Sequence, residues 1–175
     1  MDALVYIVET LLSLTLFAFL LRLLLQWVRA DFRNQLAQAL IQITNPVLIP
    51  LRRLFPAVGR FDTASGIIVI ALALAETAAP PLLRAGVLPP LLIWGQLAIF
   101  ELLRTTLWTF FFAIFLYALL SLISPGTYSP AQSLLASLAE PVLRPIRRII
   151  PPLGGLDLSP LWAIILIQAL IILLR

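Results

Sequence analysis

PVLIPLRRLFPAVGRFD at residues 46–62 and PVLRPIRRIIPPLGGLD at residues 141–157 are two copies of one cassette, 95 residues apart and aligned without a gap. The identical positions are Pro46/Pro141, Val47/Val142, Leu48/Leu143, Pro50/Pro145, Arg52/Arg147, Arg53/Arg148, Pro56/Pro151, Gly59/Gly154 and Asp62/Asp157. An internal repeat decides architecture before local propensity does. The chain is therefore read as a duplication, each half carrying one polar cassette between apolar segments.

Composition sets the class of those segments. With 62% hydrophobic and only 11% charged residues, the chain lies outside the range of an ordinary soluble domain and reads as an integral membrane protein. Residues 3–27 are interrupted only by Glu9 and Arg22 and are long enough to cross a hydrocarbon core of about 30 Å. A cleaved signal peptide fits less well, because Asp2 stands where a basic region belongs and the apolar run is too long.

The offset carries residues 3–27 onto 98–122 and residues 62–80 onto 157–175, all mostly apolar. The expected fold is an all-α membrane protein with four transmembrane helices, built as two parallel two-span repeats. Residues 1–80 form the first repeat, 81–95 the connection and 96–175 the second. Two crossings per half return the chain to its starting side, so both copies share one orientation, unlike the inverted repeats of many transporters. Pro80, Pro81, Pro89 and Pro90 predict a bent interfacial connection, with one continuous helix over 91–123 as the alternative. Arg29, Arg33, Arg52, Arg53 and Arg60 in the first internal connection, and Arg144, Arg147 and Arg148 in the second, contrast with Arg84 alone between the repeats. By the positive-inside rule both cassettes face the cytoplasm, and Trp27 and Trp94 serve as interfacial anchors.

Ahead of each cassette lies an amphipathic stretch. Leu36, Leu40, Ile43 and Val47 oppose Gln35, Gln38 and Gln42 in the first copy; Leu134, Leu135 and Leu138 oppose Gln132, Ser133 and Ser137 in the second, where Ser129 and Pro130 supply an N-cap and a first-turn proline. Each predicts a helix lying in the interface plane or docking a partner helix. The prolines Pro46, Pro50, Pro56, Pro141, Pro145 and Pro151 are then expected to hold the backbone extended or kinked. Arg52, Arg53, Arg147 and Arg148 read either as anchors in anionic headgroups or as four guanidiniums converging on a phosphate, a carboxylate or an acidic partner segment. Gly59 and Gly154 permit tight turns, and Asp62 and Asp157 are expected to cap the following spans.

Cysteine and histidine are absent and Met1 is the sole methionine, which removes thiolate, imidazole and thioether ligands and the Ser-His and Cys-His nucleophile pairs. No cofactor and no enzymatic activity is expected. The net charge of +4 comes without a long basic run interleaved with aromatics, so its partners are lipid headgroups rather than nucleic acid. Within the spans, Glu9, Glu76, Glu101 and Arg104 carry the costly charges that suggest function by default. Glu9 maps onto Arg104 under the offset, which predicts an ion pair across the repeats; Glu101 and Arg104, three residues apart, offer a local pair instead. A proton or cation path lined by Glu9, Glu76 and Glu101 is the functional reading of the same set.

The repeated N/E-P-x-x-x-P-x-R-R-x-x-P-x-x-G-x-x-D pattern, in TNPVLIPLRRLFPAVGRFD and LAEPVLRPIRRIIPPLGGLD, resembles the YggT family of small membrane proteins, which includes the YlmG proteins. The resemblance covers essentially the whole chain in the two-copy bacterial form. It departs at Glu140, where the first copy has Asn45, and at Arg60, where the second has Gly155. It implies a bacterial inner-membrane protein without a settled enzymatic activity, associated with division processes, cytochrome assembly or osmotic tolerance. Those associations imply a scaffold or assembly factor acting on other membrane components, with unidentified membrane-protein partners and self-association among the expected contacts. The alternative is an ion-homeostasis or osmotic-stress-linked transporter, channel or accessory subunit using the intramembrane carboxylates.

Overall fold

The computed structural model describes residues 2–57, 62–123, 129–150 and 157–174. Among them are six helices and no strand: α1 Asp2–Trp27, α2 Gln35–Leu54, α3 Thr63–Ala85, α4 Leu91–Ile123, α5 Pro130–Ile149 and α6 Ser159–Leu173. The order long apolar helix, amphipathic helix, apolar helix thus occurs twice. Helices α1, α3 and α4 are long and apolar enough to cross a membrane, whereas α6, with 15 residues, rises only about 22 Å. Little of the three long helices is buried, 22%, 22% and 17% of their most apolar windows. Apolar helices with that much open surface are built for a lipid solvent.

Two expectations change. The cassette prolines do not hold extended backbone: Pro46 and Pro50 lie inside α2, and Pro141 and Pro145 inside α5, so the amphipathic stretch and the first part of each cassette are one 20-residue helix. Each proline removes a donor and crowds the carbonyl four residues back. All four are exposed, spaced i, i+4 on one face, so the freed carbonyls lie on the open side while Thr44 and Leu48, or Ala139 and Leu143, are buried. The apolar stripe of the first copy stays open, with Leu36, Ile43 and Val47 exposed and Ala37 buried.

Pro80 and Pro81 do not break helical continuity. Helix α3 continues through Pro80 and Pro81 to Ala85 and ends where Gly86, at φ 66°, donates its N–H to the Leu82 carbonyl. Helix α4 then starts at Leu91 and runs unbroken for 33 residues, so the continuous alternative holds. Trp94 serves as a tether: its ring N–H donates to the Leu74 carbonyl at 2.9 Å, fastening the start of α4 to α3. Trp27 is 76% exposed.

Two compact units are present. Met1–Leu23 with Gln42–Thr105 form one, and Leu24–Ile41 with Thr106–Arg175 form the other. The first buries Val5, Leu16, Phe19 and Leu20 of α1, Leu48 of α2, and Val69 and Ala73 of α3. The second has a core of Ile114 from α4, Ala139 and Leu143 from α5, and Ala163, Ile167 and Ile171 from α6, sealed by Trp108, Phe110 and Phe111. In that unit Ser129 caps α5 as the spacing predicts, accepting from the Gln132 N–H at 3.1 Å, and Asn34 donates to the Pro130 carbonyl.

Candidate functional site

Helix α2 ends in Arg52 and Arg53, and the chain must turn back within eight residues to begin α3. Asp62 closes that turn. Its carboxylate accepts from Arg52 and, at 2.6 Å, from the Ser65 hydroxyl, and it makes no side-chain bond to the helix backbone. The expected cap is therefore an ion-pair clasp instead. Asp62 is 3% exposed while Arg52 is 41% exposed, so the carboxylate is buried and the guanidinium reaches out to it from the surface. Thr63 adds a second tie, donating to the carbonyls of Phe55 and Pro56. Burial pushes the Asp62 carboxyl up, but the bonds from Arg52 and Ser65 outweigh it and hold the group below the usual carboxylate range.

The second copy repeats the clasp over the same ten-residue separation. Arg147, in the last turn of α5, donates to Asp157 at 2.8 Å and to Glu140 at 2.8 Å. Asp157 also accepts from the Ser159 backbone N–H at 2.9 Å, but it stands one residue ahead of Leu158, which holds the N-cap position of α6, so the expected cap is displaced here as well. Burial opposes both charges. The bonds from Asp157 and Glu140 nevertheless raise Arg147 above the ordinary guanidinium value, and the Ser159 and Arg147 bonds lower Asp157. Gly59, Pro151 and Gly154 lie outside the described residues.

The clasps divide the four arginines shared by the two cassettes into two kinds. Arg52 and Arg147 hold the turn. Arg53 and Arg148 are exposed and carry no ion pair among the described residues, as does Arg144. Among the described cassette arginines these three stand outside any ion pair.

Arg22 adds a contact that the spacing does not reveal. It is 5% exposed on α1 and donates to the Thr44 hydroxyl and, at 3.0 Å, to Asn45 Oδ1, both on α2 just before Pro46. Its charge is buried against neutral acceptors. Only the dipeptide Thr44-Asn45 hints at this, and no periodicity connects it with residue 22.

The charges of the spans gather elsewhere in the same unit. Tyr6, Glu9, Thr10, Ser13, Leu14 and Phe17 of α1, Glu76 of α3, and Glu101, Arg104 and Thr105 of α4 line an open groove of about 470 Å³. Arg104 pairs with Glu101 at 2.6 Å, so the local i, i+3 partner forms and not the Glu9 pair predicted across the repeats. The reason is reach: three residues along one helix bring the two side chains together without any tertiary fit. Ser13 donates to Glu76 Oε1, a contact between residues 63 apart in sequence.

A family model described as CCB3/YggT matches residues 1–83 and 96–175. An uncharacterised protein of Pseudomonas aeruginosa is 40% identical over 170 residues, 95% of this chain and 85% of its own. The uncharacterised protein YggT of Escherichia coli is 35% identical over 170 residues, covering 97% of this chain and 88% of its own. An uncharacterised protein of Haemophilus influenzae is 30% identical over 154 residues, 88% and 81% of the two chains. No solved structure matches the chain. With the cassettes, the helices and relatives matched along nearly its full length, this chain belongs to the CCB3/YggT family.

Proposed function

We propose that this is a non-enzymatic, four-span protein of the bacterial inner membrane, with both cassettes at the cytoplasmic face, that organises or assembles other membrane components through anionic headgroups and acidic partner segments. One observation carries this reading: each cassette spends the first arginine of its repeated Arg-Arg pair on an internal aspartate and leaves the second exposed at the end of an amphipathic helix. The clasp fixes the helix end against the next apolar helix, so Arg53, Arg144 and Arg148 are presented from an ordered support. Exposed Leu36, Ile43 and Val47 on the same α2 are what a helix lying in the interface offers to acyl chains. Basic residues held at a membrane surface attract anionic lipid by about 1 kcal/mol each.

The test separates the two kinds of arginine. In nanodiscs of mixed phosphatidylglycerol and phosphatidylcholine, the wild type should enrich phosphatidylglycerol around itself. Arg53→Gln with Arg148→Gln should abolish most of that enrichment while insertion and the thermal unfolding midpoint stay near wild type. Unchanged enrichment in the double variant would remove the lipid-facing role.

A second reading, an ion-linked transporter or accessory subunit, is favoured by the groove alone, where three carboxylates and an arginine stand among apolar helices.

A further inference from the structure

Three carboxylates line the groove, and their surroundings differ. Glu101 is compensated by Arg104 and accepts from Thr105 at 3.2 Å. Glu9 lines the open wall of α1. Glu76, like Glu9, has no ion pair among the described residues, and it alone has a sealed oxygen: its Oε1 accepts from the Ser13 hydroxyl, and its Oε2 is wholly buried with no hydrogen-bond partner. It stands fourteenth of the 23 residues of α3, about 20 Å along an apolar helix, where water does not solvate a charge. An ionised carboxylate with one oxygen sealed and unbonded costs far more there than a neutral acid whose hydroxyl goes unbonded.

From this geometry we infer that Glu76 is a proton-binding site, carrying its proton on Oε2 at neutral pH and exchanging it with one aqueous face through the groove. The carbonyl oxygen of the neutral acid, Oε1, keeps the Ser13 bond, so one proton added from water completes the arrangement. The ionisable groups sharing the groove are Tyr6 and Glu9 from α1 and Glu101 and Arg104 from α4. Two of these are carboxylates that repel a charge on Glu76, and the guanidinium that would favour it is engaged by Glu101. A metal cation fits less well: among the described residues no three carboxylate, histidine or cysteine side chains stand close enough to share one. The inference rests on the ion-linked reading of the groove and supplies its ion.

Infrared difference spectroscopy on the full chain in lipid tests it. At pH 7 a protonated-carboxyl stretch should be present, shift on transfer to D2O, disappear in Glu76→Gln and persist in Glu9→Gln. Ser13→Ala, which leaves the acid in place, should raise the frequency of the same band by removing a bond to its carbonyl oxygen. Absence of the band at pH 7, its survival in Glu76→Gln, an unmoved band in Ser13→Ala, or its loss when sodium is added at constant pH would each overturn the assignment. Proton flux in proteoliposomes is a separate readout. With the band present and flux absent under every gradient, the proton site stands and the transport reading fails.

Discussion

The two cassettes share the same arginine and the same aspartate, yet they bury them differently. In the first, Asp62 is almost sealed and leans on Arg52 and Ser65, while Arg22 sits buried nearby against Thr44 and Asn45. In the second, Asp157 is 39% and Glu140 47% exposed, and both serve Arg147 from the surface. The positions equivalent to Arg22, Thr44 and Asn45 are Tyr117, Ala139 and Glu140. A duplicated sequence has thus kept one ion pair while changing its support, from the buried Ser65 hydroxyl on the aspartate of the first copy to an exposed second carboxylate on the arginine of the second. The same contact is worth more where its carboxylate has lost water, because removing its partner leaves a charge that nothing else solvates.

Breaking the clasps measures that difference. Arg52→Ala leaves the buried Asp62 with the Ser65 hydroxyl and the nearby charge of Arg22 and should cost about 2–3 kcal/mol, below the range for fully buried pairs because Arg52 is itself partly in solvent and Arg22 still compensates the carboxylate. Arg147→Ala, between exposed partners, should cost about 1 kcal/mol or less. Denaturant titration in detergent compares the two, and equal losses would dissolve the distinction between the copies.

Acid should separate them next. Asp62 and Asp157 both titrate below the ordinary value in the folded state, so their stabilising contribution is complete above the unfolded carboxylate value of about 3.9 and is lost as pH falls through the lower folded values. The thermal midpoint should hold from pH 7 to about 5 and drop below about 4. Asp62→Asn should flatten the drop more than Asp157→Asn.

The smallest effect belongs to the position where the copies diverge. Glu140→Asn restores the residue type of the first copy and removes one of two partners from Arg147, a loss of about 0.5 kcal/mol by unfolding midpoint. A loss several times larger would mean that the second carboxylate, and not Asp157, holds the turn.

Much of this was legible in residues alone. The duplication, the apolar helices, the amphipathic stretches, the Ser129 cap and the family resemblance all follow from periodicity, length and identity, which are local or directly countable. The local Glu101–Arg104 pair was legible for the same reason, since a helix brings residues three apart together whatever surrounds it. Other features required the tertiary structure. Proline chemistry argued for broken backbone, and only packing showed that Pro46, Pro50, Pro141 and Pro145 could ride the open face of continuous helices. The clasps from Arg52 to Asp62 and from Arg147 to Asp157 depend on a turn whose closure no pairing rule encodes. The contact of Ser13 with Glu76 joins residues far apart in sequence, and the burial of the second Glu76 oxygen is a property of the packed structure. Sequence by itself determined which segments are apolar or amphipathic and which charges are repeated. Tertiary structure decided which of those charges find partners, because a partner is set by distance and lost water, and neither is a property of a residue's place in the chain.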